Sequence, residues 1–332
     1  MVDLAHVPVA RLHGAGDLRI AEEPVPTPGP EESLVRVEAV GICGSDLHWF
    51  EEGGIGDAQL ANPLVIGHEF AGVVEGGPLD GRRVAVDPAL HCGHCERCLA
   101  GDQNLCPDVV FAGHGGCDGG LRRYLSWPTE ALHPLPDSMD GVDGAMLEPL
   151  GVAIHALDLG HVHLGAEVAV VGCGPIGLLL VQVARAAGAR VVLAVDPLEH
   201  RRAAAERAGA EQVVAPDDLP PGVAVDVAFE VAGTDGAVDV AMRASRAGAR
   251  VVLVGIPSDD RTSFGAGLAR RKGLTIVMAR RMNAVYPRAI GLIERGVVDV
   301  DWITTHRYPL AEVGEAFRVA AARSGLKVVV EP

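Results

Sequence analysis

Aromatic residues are scarce in this chain: Phe, Trp and Tyr make up 4% of 332 residues. Positive charge is also in short supply, with 28 Lys and Arg against 44 Asp and Glu and a formal charge of −16. So acidic a surface is repelled by phosphate backbones and anionic lipid, which argues against nucleic acid and membranes as partners. Long apolar runs are missing as well. The most apolar stretch, VAVVGCGPIGLLLVQVA at 168–184, is short for a membrane span and is interrupted by Gly172, Gly174, Pro175 and Gly177. The opening MVDLAHVPVARLHG has an acid at position 3 and no apolar core, so no secretory signal is expected there. These absences leave a cytoplasmic globular protein as the expectation. A chain of this length accommodates two domains.

Cysteine is sparse too, at seven, yet four of the seven crowd into HCGHCERCLAGDQNLC at 91–106. An odd count and a reducing compartment both disfavour disulfides. Cys92, Cys95, Cys98 and Cys106 follow a Cys-x2-Cys-x2-Cys-x7-Cys spacing, in which two-residue loops let thiolates converge on one ion. Pro107 follows the last cysteine as in bacterial ferredoxins, but those place only three residues before it, so zinc is favoured over iron–sulfur. Four thiolates close the coordination sphere, and this zinc is read as structural.

Chemistry must then lie elsewhere. GICGSDLHWF (41–50) and PLVIGHEFAGVV (63–74) supply Cys43, His68 and Glu69, a thiolate, an imidazole and a carboxylate. Three protein ligands with one open position is the catalytic zinc pattern. Each residue alone has a plainer reading, since a single cysteine is usually a small buried hydrophobe. Ser45 and His48 follow within five residues and could pass a proton from a metal-bound group to solvent, with Asp46 orienting an imidazole ligand. Glu148, in MLEPLGVAIHA, is a carboxylate in apolar surroundings, either a further ligand or the group that binds the metal's water.

Residues 168–196 carry the second constellation. An apolar strand at 168–171 runs into Gly172, Gly174 and Gly177 in G-x-G-x-x-G spacing, with Pro175 and Ile176 opening a helix that stops at Gly188. A second strand, 191–195, ends in Asp196, 19 residues after Gly177. In that context the glycines indicate a dinucleotide whose pyrophosphate meets the helix N-terminus. Asp196 suits ribose hydroxyls and repels a 2′-phosphate, which favours NAD, although Arg201 and Arg202 are placed to welcome one. Further strands at 225–231, 251–254 and 274–278 alternate with helices, which predicts a parallel sheet. AAGARVVL and RAGARVVL read as helix stops at Gly188 and Gly248 leading into strands. The segment before 155, punctuated by Pro24, Pro26, Pro28 and Pro30 and by alternating stretches such as SLVRVEAVG, reads as β-rich.

With these residues in view, the chain resembles the medium-chain zinc-dependent alcohol dehydrogenases along nearly its whole length. GICGSDLHWFEEGGIG, EPLGVAIHA and THRYPLAEVGEAF are similar to their polyol branch, the sorbitol and L-idonate 5-dehydrogenases. The resemblance implies an α/β protein: a β-rich GroES-like catalytic domain at 1–155, completed by about 286–332, and a doubly wound parallel-sheet Rossmann domain at 156–285. It implies a catalytic zinc on Cys43, His68 and a glutamate, with Glu69 the usual ligand in polyol enzymes and Glu148 holding the metal's water. Other alcohol dehydrogenases have a cysteine where Glu148 stands. It also implies a structural zinc on the four-cysteine lobe, NAD as cofactor, a substrate wall including Ser45, Trp49, Glu148, Arg280 and Arg281, and a homo-oligomer, dimeric or tetrameric. Many sorbitol dehydrogenases have Arg-Tyr or Arg-Phe where this chain has Arg280 and Arg281, so the second arginine is either a solvated surface charge or a receptor for a carboxylate. The expected reaction moves a hydride from a secondary hydroxyl of a polyol or sugar acid to NAD. Threonine or a simple secondary alcohol is the alternative substrate. A non-catalytic NAD-binding protein and an iron–sulfur electron carrier are the alternatives of other classes.

Overall fold

The computed structural model describes residues 6–332. The chain divides into two compact units: one of 1–148, 286–294 and 299–332, the other of 149–285 and 295–298. The division falls between Glu148 and Pro149, near the start of the helix Leu147–Gly160. Among the described residues no helix is long and apolar enough to cross a membrane.

The first unit is built on a seven-stranded sheet. Its strands run Leu132–Pro134, Arg83–Val86, Glu69–Glu75, Glu32–Gly41, Lys327–Glu331, Thr304–Pro309, and Tyr124–Pro128 also pairs with Glu32–Gly41. Alternation decides the inward face of Glu32–Gly41: Ser33, Val35, Val37 and Ala39 are buried while Leu34, Arg36 and Glu38 turn outward. Burying each such valine contributes about 1.5–3 kcal/mol. Val35 and Val37 join Leu12, Ile66, Phe70 and Phe317 in one core. The last strand returns far along the sequence, so that Val329 and Val330 sit opposite Gly41 and Val40.

The second unit is a six-stranded parallel sheet ordered Val213–Val214, Arg190–Val195, Glu167–Val171, Val225–Glu230, Ser245–Leu253, Thr275–Met278. In chain order that is 3-2-1-4-5-6, the doubly wound arrangement with its switch point between Glu167–Val171 and Val225–Glu230. The helix Pro175–Ala186 starts with proline in its first turn after Gly174 and buries Leu178, Leu179, Leu180 and Val181. A side chain at Gly177 would collide with the Gly172 carbonyl, so the helix reaches the sheet only because that position is glycine. Gly248 departs from its expected role. The helix Asp235–Ala244 ends four residues before it, where Lys272 Nζ donates to the carbonyls of Met242 (3.0 Å), Arg243 (2.8 Å) and Ser245 (2.5 Å). An ammonium, not a glycine, satisfies the orphan carbonyls, and the strand begins at Ser245.

Candidate active site

Cys43 stands at the N-cap of the helix Gly44–Glu52, with its sulfur accepting from the backbone of the first turn. Asp46, 1% exposed, closes the other half of this capping box: its Oδ2 accepts from Cys43 N at 2.9 Å. The same carboxylate serves a second segment. Oδ1 accepts from Gly67 N at 3.1 Å and lies 3.3 Å from His68 Nδ1. That contact places the imidazole proton on Nδ1 and leaves Nε2 as the ligating nitrogen, the usual outer support of a metal-bound histidine. Burial disfavours the imidazolium, but Asp46 and then Cys43 outweigh it and hold His68 well above the ordinary range.

Ligand atoms of Cys43, His68 and Glu69 lie within 4.8 Å of one another. Ser45 Oγ lies 3.4 Å from His68 Nε2. His48, one turn along the same helix, has Nδ1 3.0 Å from Glu52 Oε1. Glu148 is 5% exposed. Burial raises it to about 7, with the charges of His68 and Lys327 acting downward and those of Glu69 and Asp87 upward. The neighbourhood thus buries the carboxylates Asp46, Glu69 and Glu148 against His68 and Lys327. Add a thiol at Cys43 and the donor set is anionic in excess, which a dication balances. The donors fit zinc.

Lys327 was not foreseen from the sequence. It is 2% exposed, ion-paired with Glu69, and donates to the Ile42 carbonyl at 3.0 Å. Glu69 is therefore within the metal cluster and also held by an ammonium. Two aromatic contacts were equally unforeseen. Phe111 lies 5.3 Å from the His68 ring, and His114 meets Trp49 edge-on at 5.3 Å. Trp49 is 2% exposed and belongs to the core.

The four-cysteine lobe is geometrically ready for its ion. Cys92–Cys98 and Cys95–Cys106 sulfurs are each 3.9 Å apart. A zinc tetrahedron with bonds of about 2.3 Å has edges of about 3.8 Å. Backbone N–H groups aim at the sulfurs: Cys95 N to Cys92 Sγ at 3.3 Å and Cys98 N to Cys95 Sγ at 3.4 Å. Crowding splits the thiols. N–H groups of His94 and Cys95 bring Cys92 down to about 6, while burial and the neighbouring sulfurs push Cys98 up to about 12. A dication removes that conflict by holding all four as thiolates.

In the second unit Asp196 is 4% exposed and its carboxylate is engaged on both oxygens: Oδ2 accepts from Cys173 N at 2.8 Å, Oδ1 from Leu198 N at 2.9 Å. It thereby ties the glycine loop to the end of the neighbouring strand. Arg202 is committed to the carbonyls of Asp196 and Pro197 at 2.9 and 2.8 Å. Arg201 instead reaches over the loop, its Nη1 3.7 Å from where a Cβ on Gly174 would sit. Gly172, Gly177 and Cys173 are buried, with Gly174, Pro175 and Ile176 partly exposed at the helix start. The loop fits a dinucleotide pyrophosphate: a helix N-terminus, an arginine above it, and no side chains in the way. Arg280 is exposed and Arg281 half-buried, with Arg281 in the left-handed region at φ 56°.

Residues 29–137 match the alcohol dehydrogenase GroES-like domain, and 175–295 match the zinc-binding dehydrogenase family. Human sorbitol dehydrogenase is 36% identical, covering 96% of this chain and 94% of its own. L-idonate 5-dehydrogenase of Escherichia coli K-12 superposes with TM-score 0.92 at 28% identity, over 98% of both chains. A zinc-binding dehydrogenase of Sinorhizobium meliloti 1021 bound to NADP superposes with TM-score 0.90 at 32% identity, over 98% of this chain and 99% of that one.

Proposed function

This chain belongs to the medium-chain zinc-dependent alcohol dehydrogenases, in their polyol branch, and from that premise we propose that it oxidises a secondary hydroxyl of a polyol or sugar acid with NAD. The cofactors are zinc and NAD(P). The observation that carries the proposal is the convergence of Cys43, His68 and Glu69 within 4.8 Å.

In this reading Cys43, His68 and Glu69 would hold the catalytic zinc, and Glu148 would hold the substrate hydroxyl or water beside it. Bound there, zinc supplies Lewis acidity that makes a hydroxyl acidic near neutral pH, and bound NAD accepts the hydride. The chain's own residues handle the proton. Ser45 Oγ, 3.4 Å from the ligating nitrogen of His68, receives it from the substrate hydroxyl. His48 is three residues along the helix, on the same face, and takes it onward. Glu52, 3.0 Å from His48 and exposed, passes it to solvent. Asp46 keeps His68 oriented throughout. Arg280 and Arg281 would meet the carboxylate of a sugar acid.

NADH formation followed at 340 nm over sorbitol, xylitol, L-idonate, D-gluconate, threonine and simple secondary alcohols tests the proposal. Turnover of a neutral polyol or of a sugar acid is expected, and the preferred one decides whether Arg280 and Arg281 contact substrate. Silence toward all polyols and sugar acids, with zinc and cofactor bound, overturns the substrate class.

NAD in preference to NADP rests on Asp196. Asp196→Asn removes the charge that repels a 2′-phosphate; its NH2 also faces Cys173 N or Leu198 N, which weakens the glycine loop for both cofactors alike and so cancels from their ratio. The ratio of kcat/KM for NAD over NADP is expected to fall by about tenfold or more, the scale of one hydrogen bond to a charged group. An unchanged ratio would remove Asp196 as the discriminator.

A further inference from the structure

Glu230 ends the fourth strand in chain order, on the far side of the switch point from Asp196. It is 1% exposed, and among the described residues no charged side chain hydrogen-bonds or ion-pairs with it. Its partners are backbone. Oε1 accepts from Ala232 N at 2.7 Å and Gly233 N at 2.6 Å. The N–H of Thr234 also points to the carboxylate, Gly255 N donates to the Glu230 main-chain carbonyl at 3.2 Å, and Oε2 lies 2.9 Å from where a Cβ on Gly255 would sit. Its own carbonyl takes Val254 N at 2.8 Å. One buried anion thus clasps the loop after the fourth strand to the loop after the fifth.

The glycines show how tightly these loops meet. A Cβ on Gly255 would run into Gly233 N, and a Cβ on Gly233 into the Ile256 carbonyl. A Cβ on Gly172, the first glycine of the phosphate loop, would lie 2.9 Å from Ala232 N. The clasp therefore abuts the phosphate loop itself. In a doubly wound sheet the dinucleotide lies across the strand ends, one mononucleotide on each side of the switch point. Asp196 and Arg201 sit at the adenosine side. The clasped loops form the other side.

We propose that Glu230 is a positioning residue for the nicotinamide half of the cofactor: its carboxylate fixes the loop after the fourth strand against Gly255 of the loop after the fifth, and the backbone of these two loops forms the wall for that half. The inference rests on the glycine loop being the dinucleotide site. A carboxylate is suited to this task because it only accepts, and every group around it only donates. Glutamine at 230 keeps an acceptor for Ala232 and Gly233 but turns an NH2 toward donors on the other side, which forces the loops apart.

The test compares two ligands on the zinc-loaded, full-length protein. ADP-ribose carries the adenosine half and both phosphates but no nicotinamide; NADH carries both halves. For Glu230→Gln the Kd of NADH is expected to rise by about tenfold, the scale of one lost hydrogen bond to a charge, with the Kd of ADP-ribose within about twofold of wild type. Gly255→Ala, which pries the same loops apart from the opposite side, should reproduce the pattern. Retained ADP-ribose binding certifies that either variant is folded. Equal weakening of both ligands would make Glu230 a general support of the fold and overturn the inference, as would unchanged NADH binding in both variants. A wild-type protein that binds neither ligand would overturn the cofactor reading, and the inference with it.

Discussion

Cys43→Ser is expected to lower turnover by about a thousandfold or more, since a Lewis acid at the reacting oxygen is worth several kcal/mol. Zinc should fall from two ions per chain to one, because the four-cysteine lobe is untouched. Serine is among the preferred N-cap residues, so the helix Gly44–Glu52 keeps its cap and its capping box with Asp46. Thermal stability should change far less than activity. Metal analysis, turnover and a melting curve on the same sample separate these. Full turnover with two zinc ions retained would show that Cys43 is no ligand.

Cys95→Ser should do the reverse. Binding of a structural zinc is itself folding free energy. Cys95 also caps the short helix Glu96–Leu99 by accepting from Cys98 N. Losing about 3 kcal/mol, a cautious figure for a lost metal site, lowers the melting temperature by roughly 4 °C in a chain of 332 residues, at about 2.1 cal/mol/K of unfolding entropy per residue. A smaller loss of activity should accompany it, by a visible route. Ala89–Leu90 pairs with Val110–Phe111 around the lobe, and Phe111 packs tilted against His68 while His114 abuts Trp49. A Cys95→Ser protein as stable and as active as wild type would remove the closed zinc site.

Much of this architecture was legible because its signals are local. The spacing of Cys92, Cys95, Cys98 and Cys106 fits within sixteen residues. The strand–glycine–helix–strand run from 168 to 196 is contiguous, and its strands fall at Glu167–Val171 and Arg190–Val195. Asp46 was readable beside Cys43 for the same reason. What escaped were partners remote in sequence. Nothing in GLKVVVEP reveals that Lys327 is buried against Glu69, 258 positions away. Glu230 in VAFEVAG gave no signal, because its partners are backbone N–H groups that carry no side-chain signature. Gly248 misled because glycine after a helix pattern is a sound stop signal, here pre-empted by Lys272. For Trp49 the sequence left pocket wall and core both open; its side chain is 2% exposed and packs in the core.

The strand Lys327–Glu331 has a bearing on how the protein is made. It sits between Glu32–Gly41 and Thr304–Pro309, in the interior of the metal-bearing sheet, and brings Lys327 to Glu69 and Ile42. During vectorial synthesis every strand of the parallel sheet emerges from the ribosome before it, so the dinucleotide unit can fold while translation continues. The catalytic half must wait. Until the last strand docks, Glu32–Gly41 keeps an open edge there, Glu69 lacks its ammonium, and the nascent chain carries an acidic, thiol-bearing cleft without its lysine. Glu69 therefore gains its ammonium only when Lys327–Glu331 docks, after every strand of the dinucleotide unit has been made.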